Sequence, residues 1–107
     1  MHVRQQFVIF DQNSKAPLDY EIDFTKSDML KIQVMGNGIC QIKVYGKIAK
    51  GIDYSEVGIL RDCDYNFIDT ITEKGIYTVS ATGYQTIKIS VVNASNILCY
   101  ANEVVEA

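Results

Sequence analysis

Asp62, Asp64 and Asn66, with Thr70 and Glu73 further on, stand at ligand positions one, three, five, nine and twelve of a calcium loop. Hard cations are held by such clustered oxygens. Phe67, however, occupies the place where that loop needs glycine for its sharp turn, and the flanks alternate as strands do. The favoured reading is a solvated polar turn entering a strand, with no metal and no cofactor. His2 is the single histidine, and it sits at a terminus without a partner to orient it, so a nucleophile–base pair has no member to build on. Cys40, Cys63 and Cys99 are odd in number and widely spaced, which fits neither a disulfide framework nor a zinc site. Cys40 and Cys99 fall at apolar-face positions, as small core residues do. Cys63 lies between two acidic residues rather than beside the cation or base that activates a thiol. The expectation is a protein that is not an enzyme, although carboxylates brought together by folding stay open as a hydrolase pair.

Tyrosine is the other chemically versatile residue, and there are seven. Tyr45, Tyr54, Tyr65 and Tyr84 fall at outward or turn positions, and Tyr45, Tyr54 and Tyr84 lie beside Asp53 and Gln85. Exposed tyrosine suits protein interfaces and the faces of sugars. The plainer alternative is the half-buried tyrosine of an ordinary sheet.

The elements that carry these residues are strands. Gly75–Val91 reads as two strands joined by a turn at Ala81–Tyr84. Tyr77, Val79 and Ala81 share a face on the first arm, as do Ile87, Ile89 and Val91 on the second, a period of two with one apolar face. Leu18, Tyr20, Ile22 and Phe24 alternate with Asp19, Glu21, Asp23 and Thr25, and Lys26-Ser27-Asp28 makes a turn. Leu30, Ile32 and Val34 follow. Gly36-Asn37-Gly38 then has the composition of a tight hairpin turn. The return strand places Cys40, Ile42, Val44 and Ile48 inward, and Gly46 interrupts it, as a bulge or a close approach of another backbone would require. Further strands are expected over residues 56–61 and over residues 67–72, where Phe67, Asp69 and Ile71 share a side. Asn93–Asn96 reads as a turn. The first strand, residues 3–10, is apolar on both faces, with Phe7 and Ile9 on one and Val8 and Phe10 on the other. The last, residues 97–105, has Leu98, Tyr100 and Val104 on one face. These two strands are the candidates for contact with another chain, because a two-faced strand needs a cover on both sides. Eight or nine short strands with regular turns give an all-β, antiparallel β-sandwich or jelly-roll-like domain over residues 1–107.

Composition narrows the partners. At 107 residues, with 48% hydrophobic and 21% charged residues, the chain has the makings of one packed core. A net charge of −3, with acidic residues scattered apart from Glu103 and Glu106, gives no footprint for nucleic acid. No run approaches the roughly 18 apolar residues of a membrane span. The N-terminus lacks a signal-peptide pattern, so synthesis in a reducing cytoplasm without Sec export is expected, as for a particle released by lysis.

The runs Gly38-Ile39-Cys40-Gln41-Ile42-Lys43-Val44-Tyr45-Gly46, Gly75-Ile76-Tyr77-Thr78-Val79 and Gly83-Tyr84-Gln85-Thr86-Ile87-Lys88-Ile89-Ser90-Val91 resemble the small β-sandwich virion proteins of tailed bacteriophages, found in head fibres, capsid decorations, baseplates and tail fibres. The spacer Gly51-Ile52-Asp53-Tyr54 lacks the tryptophan common in that family. The resemblance implies a non-enzymatic structural or assembly part of a phage particle, forming a homo-oligomer and touching another virion protein. The alternative is a module that recognises host surface glycans through Tyr45, Tyr54 and Tyr84.

Overall fold

The computed structural model describes residues 2–23 and 27–105, so Phe24, Thr25, Lys26 and Glu106 lie outside the described residues. No helix occurs among the described residues. Eight strands pair antiparallel: β1 (His2–Phe10), β2 (Leu18–Asp23), β3 (Met29–Lys47), β4 (Ser55–Glu56), β5 (Ile59–Arg61), β6 (Asn66–Ile68), β7 (Gly75–Ser80) and β8 (Thr86–Val105). Their order is β1-β8-β3-β7-β5-β6, with β2 also on β8 and β4 also on β3.

Two strands are far longer than the rest, β3 with 19 residues and β8 with 20. They pair along nearly their whole length and belong to two leaves at once. In the first leaf, residues 39–47 of β3 and 86–95 of β8 lie between β2 and β4. In the second, residues 29–36 of β3 and 97–104 of β8 lie between β1 and the β7-β5-β6 group. One buried cluster draws Ile22, Ile42, Val44, Ile87, Ile89 and Val91 from the first leaf and Leu30, Ile32, Val34, Tyr77, Val79 and Cys99 from the second. The sheet is therefore folded over on itself, and the two leaves enclose a common core.

The fold line falls where hairpin turns were expected. Gly36-Asn37-Gly38 is no turn; β3 runs through it with a register shift against β8 between Gly36 and Ile39. Asn93–Asn96 is likewise strand. A bulge lets a strand bend from one leaf to the other without ending. Gly36 has φ +108°, and Asn96, beside its partner Ile97, has φ +59°. A Cβ on Gly38 would sit 1.6 Å from the Ser95 carbonyl oxygen, so only glycine fits.

The Gly75–Val91 stretch is also not a hairpin. Its first arm, β7, pairs with β3 and β5, and its second pairs with β2 and β3 in the other leaf. The turn at Ala81–Tyr84, where the Tyr84 N–H donates to the Ala81 carbonyl at 3.2 Å and Gly83 has φ +88°, carries the chain between leaves.

Alternation placed most of the core correctly: Ile22, Leu30, Ile32, Val34, Cys40, Ile42, Val44, Tyr77, Val79, Ala81, Ile87, Ile89 and Val91 are all buried. Ile48 is not; it follows the end of β3 and is 70% exposed. Phe67 and Ile71 do not share a side. β6 ends at Ile68, Phe67 is exposed, and buried Ile71 exchanges two backbone hydrogen bonds with Ile42 at 2.8 and 3.0 Å. β1 departs from alternation through a bulge between Val8 and Phe10. It turns both Ile9 and Phe10 into the core and leaves Val8 outside.

Candidate functional site

Cross-strand register builds the outer face of the first leaf. Glu21 of β2 lies opposite Lys88 of β8, Lys88 opposite Tyr45 of β3, and Tyr45 opposite Glu56 of β4. Four side chains thus form one row across four strands, and directly opposed pairs are the ones that interact in a sheet. The Lys88 ammonium stands 5.1 Å from the Tyr45 ring centroid and 4.4 Å from that of Tyr54. Lys47 stands 4.7 Å from the Tyr54 ring. Tyr54 comes from the segment before β4, and its hydroxyl donates to Glu21 Oε2 at 3.0 Å. Both rings are half-buried, and each cation over such a ring contributes about 0.5–2 kcal/mol. Burial, then the hydrogen bond to Glu21, then the charges of Glu21, Asp23 and Asp19 push the Tyr54 phenol up to about 12. Lys43 donates to Glu56 at 3.3 Å, and that bond, helped by the carboxylate charge, raises the lysine pKa.

Tyr45 and Tyr54 therefore meet around Lys88. Tyr84 does not join them. It packs against the core, and its ring lies so close to Gly46 that an added Cβ would come within 2.6 Å of it. The interruption at Gly46 is thus neither a bulge nor the approach of another backbone but room for the Tyr84 and Val57 side chains, on the face opposite Tyr45. Asp53 is exposed in the β3–β4 connection, and Gln85 is held by its backbone N–H donating to the Lys47 carbonyl at 2.9 Å. Nothing in the residue pattern singles out the lysines or Glu21 as members; only the register brings them to the tyrosines.

The residues expected at a subunit contact divide. Ile9 and Phe10 belong to the chain's own core, and Val104 is also buried, outside the main cluster. Buried side chains are spent within the chain. Phe7 is half-buried against Tyr20, ring centroids 5.8 Å apart. Val8 is 50% exposed, and Leu98 and Tyr100 are half-buried. β1 pairs with β8 alone, so its other edge meets no strand among the described residues. Val3, 54% exposed, extends the apolar surface of β1. At the other end of the second leaf Phe67 is 75% exposed; its alternation with Ile68 hid that.

The carboxylates of the calcium-like spacing diverge. Asp62 accepts from Lys31 Nζ and from Thr78 Oγ1, each at 2.7 Å. Burial pushes its pKa up, but the Lys31 and Thr78 hydrogen bonds and the lysine charge outweigh that and hold it below the usual value. Asp64 turns to Arg61, whose Nη2 is 2.8 Å away, and accepts from the Asn66 backbone N–H at 3.1 Å. Among the described residues no three of His, Cys, Asp and Glu converge as a metal site requires. Burial pushes the Cys99 thiol up to about 12 and raises Cys40 as well, so both stay protonated. Cys63 and His2 are exposed.

The chain is similar in fold to two solved structures. One is the SPBc2 prophage-derived protein YomS: TM-score 0.77, 14% identity, 95% of this chain and 92% of that one covered. The other is the PBSX exported protein XepA: TM-score 0.80, 14% identity, 92% of this chain covered. The match spans 37% of the XepA chain. No family model matches the sequence, and no curated protein matches it. At this identity the likeness speaks for the fold.

Proposed function

We propose that the chain is a structural or assembly component of a phage particle that works through contacts with copies of itself and with another virion protein. The observation that carries the reading is the near end-to-end likeness to a prophage-derived protein, 95% of one chain on 92% of the other. The sequence resemblance to phage virion sandwiches points the same way. The free edge of β1, with Val3, Phe7 and Val8 along it, supports self-association. An unpaired edge offers N–H and C=O groups that a second strand satisfies. The bulges of β1, after Val3 and before Phe10, restrict the regular ladder to the residues between them. Such interruptions limit an edge to a chosen partner.

The work done is geometric: a rigid folded-over sheet holds its edge and faces at fixed positions. Mass spectrometry of purified particles from a strain encoding the chain tests the reading. The expected result is the chain in fixed stoichiometry with the other particle proteins. Particles that lack it would overturn the proposal.

A further inference from the structure

The outer face of the second leaf carries a depression of about 370 Å³ that the assembly role leaves unused. Small-ligand sites fall at roughly 300–1,000 Å³. Its floor follows from the register. Gln6 lies opposite Asn102, and Asn102 opposite Lys31; in the next row Tyr100 lies opposite Gln33, and Gln33 opposite Ile76. All these side chains line the depression, with Asp62 at its side.

Three carboxamides beside a tyrosine and an isoleucine make an unusual sheet face. Each amide offers both donors and an acceptor. Lys31 donates to Asp62 and to Thr78, and Thr78 donates to Asp62, each at 2.7 Å. This closed ring of bonds neutralises the lysine and fixes the carboxylate, so the depression presents no net charge to a ligand. Asn102 Oδ1 is buried and has no hydrogen-bond partner among the described residues. Such an acceptor is costly to leave unmet.

From these features we infer that the depression binds a neutral pyranose ring. Vicinal hydroxyls both donate and accept, which matches paired amides. The ring's C–H face needs an apolar bed, which Tyr100 and Ile76 supply. A neutralised Lys–Asp pair selects against anions, which want an unpaired cation. The site is distinct from the Tyr45–Tyr54 cluster, which lies on the other leaf. It adjoins β1, since Gln6 lines it and Val8 lies opposite Tyr100; sugar titration reads the depression and sedimentation reads self-association, so the failure of one is distinguishable from the failure of the other.

The test is NMR titration of the full chain with methyl β-D-galactoside, methyl α-D-glucoside and N-acetylglucosamine, with glycerol and inorganic phosphate as controls. At least one pyranoside is expected to give saturable shifts of the Gln6, Gln33 and Asn102 side-chain amides and the Tyr100 ring. Gln33 is exposed, so Gln33→Ala leaves the fold intact; it should weaken that sugar about three- to tenfold, as loss of one hydrogen bond does. No saturable shift with any pyranoside overturns the inference. So do equal shifts with glycerol, preferential binding of phosphate, or unchanged affinity in folded Gln33→Ala.

Discussion

Replacing Gly38 by alanine strikes the fold line of the sheet. The new Cβ would lie 1.6 Å from the Ser95 carbonyl oxygen and 2.6 Å from its carbonyl carbon. Both are backbone atoms, so no side chain can swing aside. Relief requires β3 and β8 to separate by more than an ångström at the bend. That breaks the pairing of Ile39 with Ser95 and strains that of Gly36 with Ile97. Two or three ladder hydrogen bonds at about 0.5–1.5 kcal/mol each put the cost at about 1–4.5 kcal/mol. Gly51→Ala is the control: φ there is +80°, and nothing lies within 4 Å of an added Cβ. Only left-handed backbone strain applies, about 1 kcal/mol. Urea unfolding followed by far-UV circular dichroism measures both. Gly38→Ala losing no more stability than Gly51→Ala would refute the folded-over sheet at this point.

Glu103 is 2% exposed, accepts a hydrogen bond from the Ser27 hydroxyl and pairs with Arg4 at 3.5 Å. Glu103→Ala leaves Ser27 unpaired and opens space, so it should cost about 2–4 kcal/mol in chemical denaturation. Arg4 is partly exposed, and Arg4→Ala should cost less. The folded-state pKa of Asp62 lies below its ordinary value, so its pair stabilises the fold above roughly pH 4 and is lost as pH falls through that lowered value. Lys31 is 40% exposed, which limits the pair to about 0.5–1 kcal/mol. Asp62→Asn should therefore remove a small part of the acid limb of a stability–pH profile. The Tyr54 phenol is raised, so its contribution is full below about pH 10 and is lost as pH rises through about 12. Burial raises the Tyr77 phenol as well, so ultraviolet titration should show more than one late-ionising tyrosine, and the Tyr54 component should disappear in Tyr54→Phe and ionise earlier in Glu21→Gln.

Alternation made the inner faces legible, because a half-buried strand must keep its apolar side chains on one parity. Leu30 to Val34, Cys40 to Val44 and Ile87 to Val91 all follow it. Strand connection was not legible. Gly36-Asn37-Gly38 and Asn93–Asn96 have turn chemistry, yet a bulge at a sheet bend demands the same residues. Composition does not distinguish a chain that reverses from one that crosses between leaves. Likewise Gly83 sits in a real turn, but its two arms find partners in different leaves. At β1 a bulge broke the parity that had separated Ile9 from Phe10. The Tyr45–Lys88–Glu21 row needed the register, since these residues come from three strands. Tyr84 looked like its neighbours in sequence and was drawn inward by the space that Gly46 leaves.

Sedimentation velocity over a wide concentration range tests the assembly reading most directly. Wild-type protein should sediment as an oligomer of the 12.0 kDa chain, and Val8→Lys, placing a charge on the open edge of β1, should shift it toward monomer with the same circular dichroism spectrum. A single monomeric species at the highest concentration reached would contradict the account.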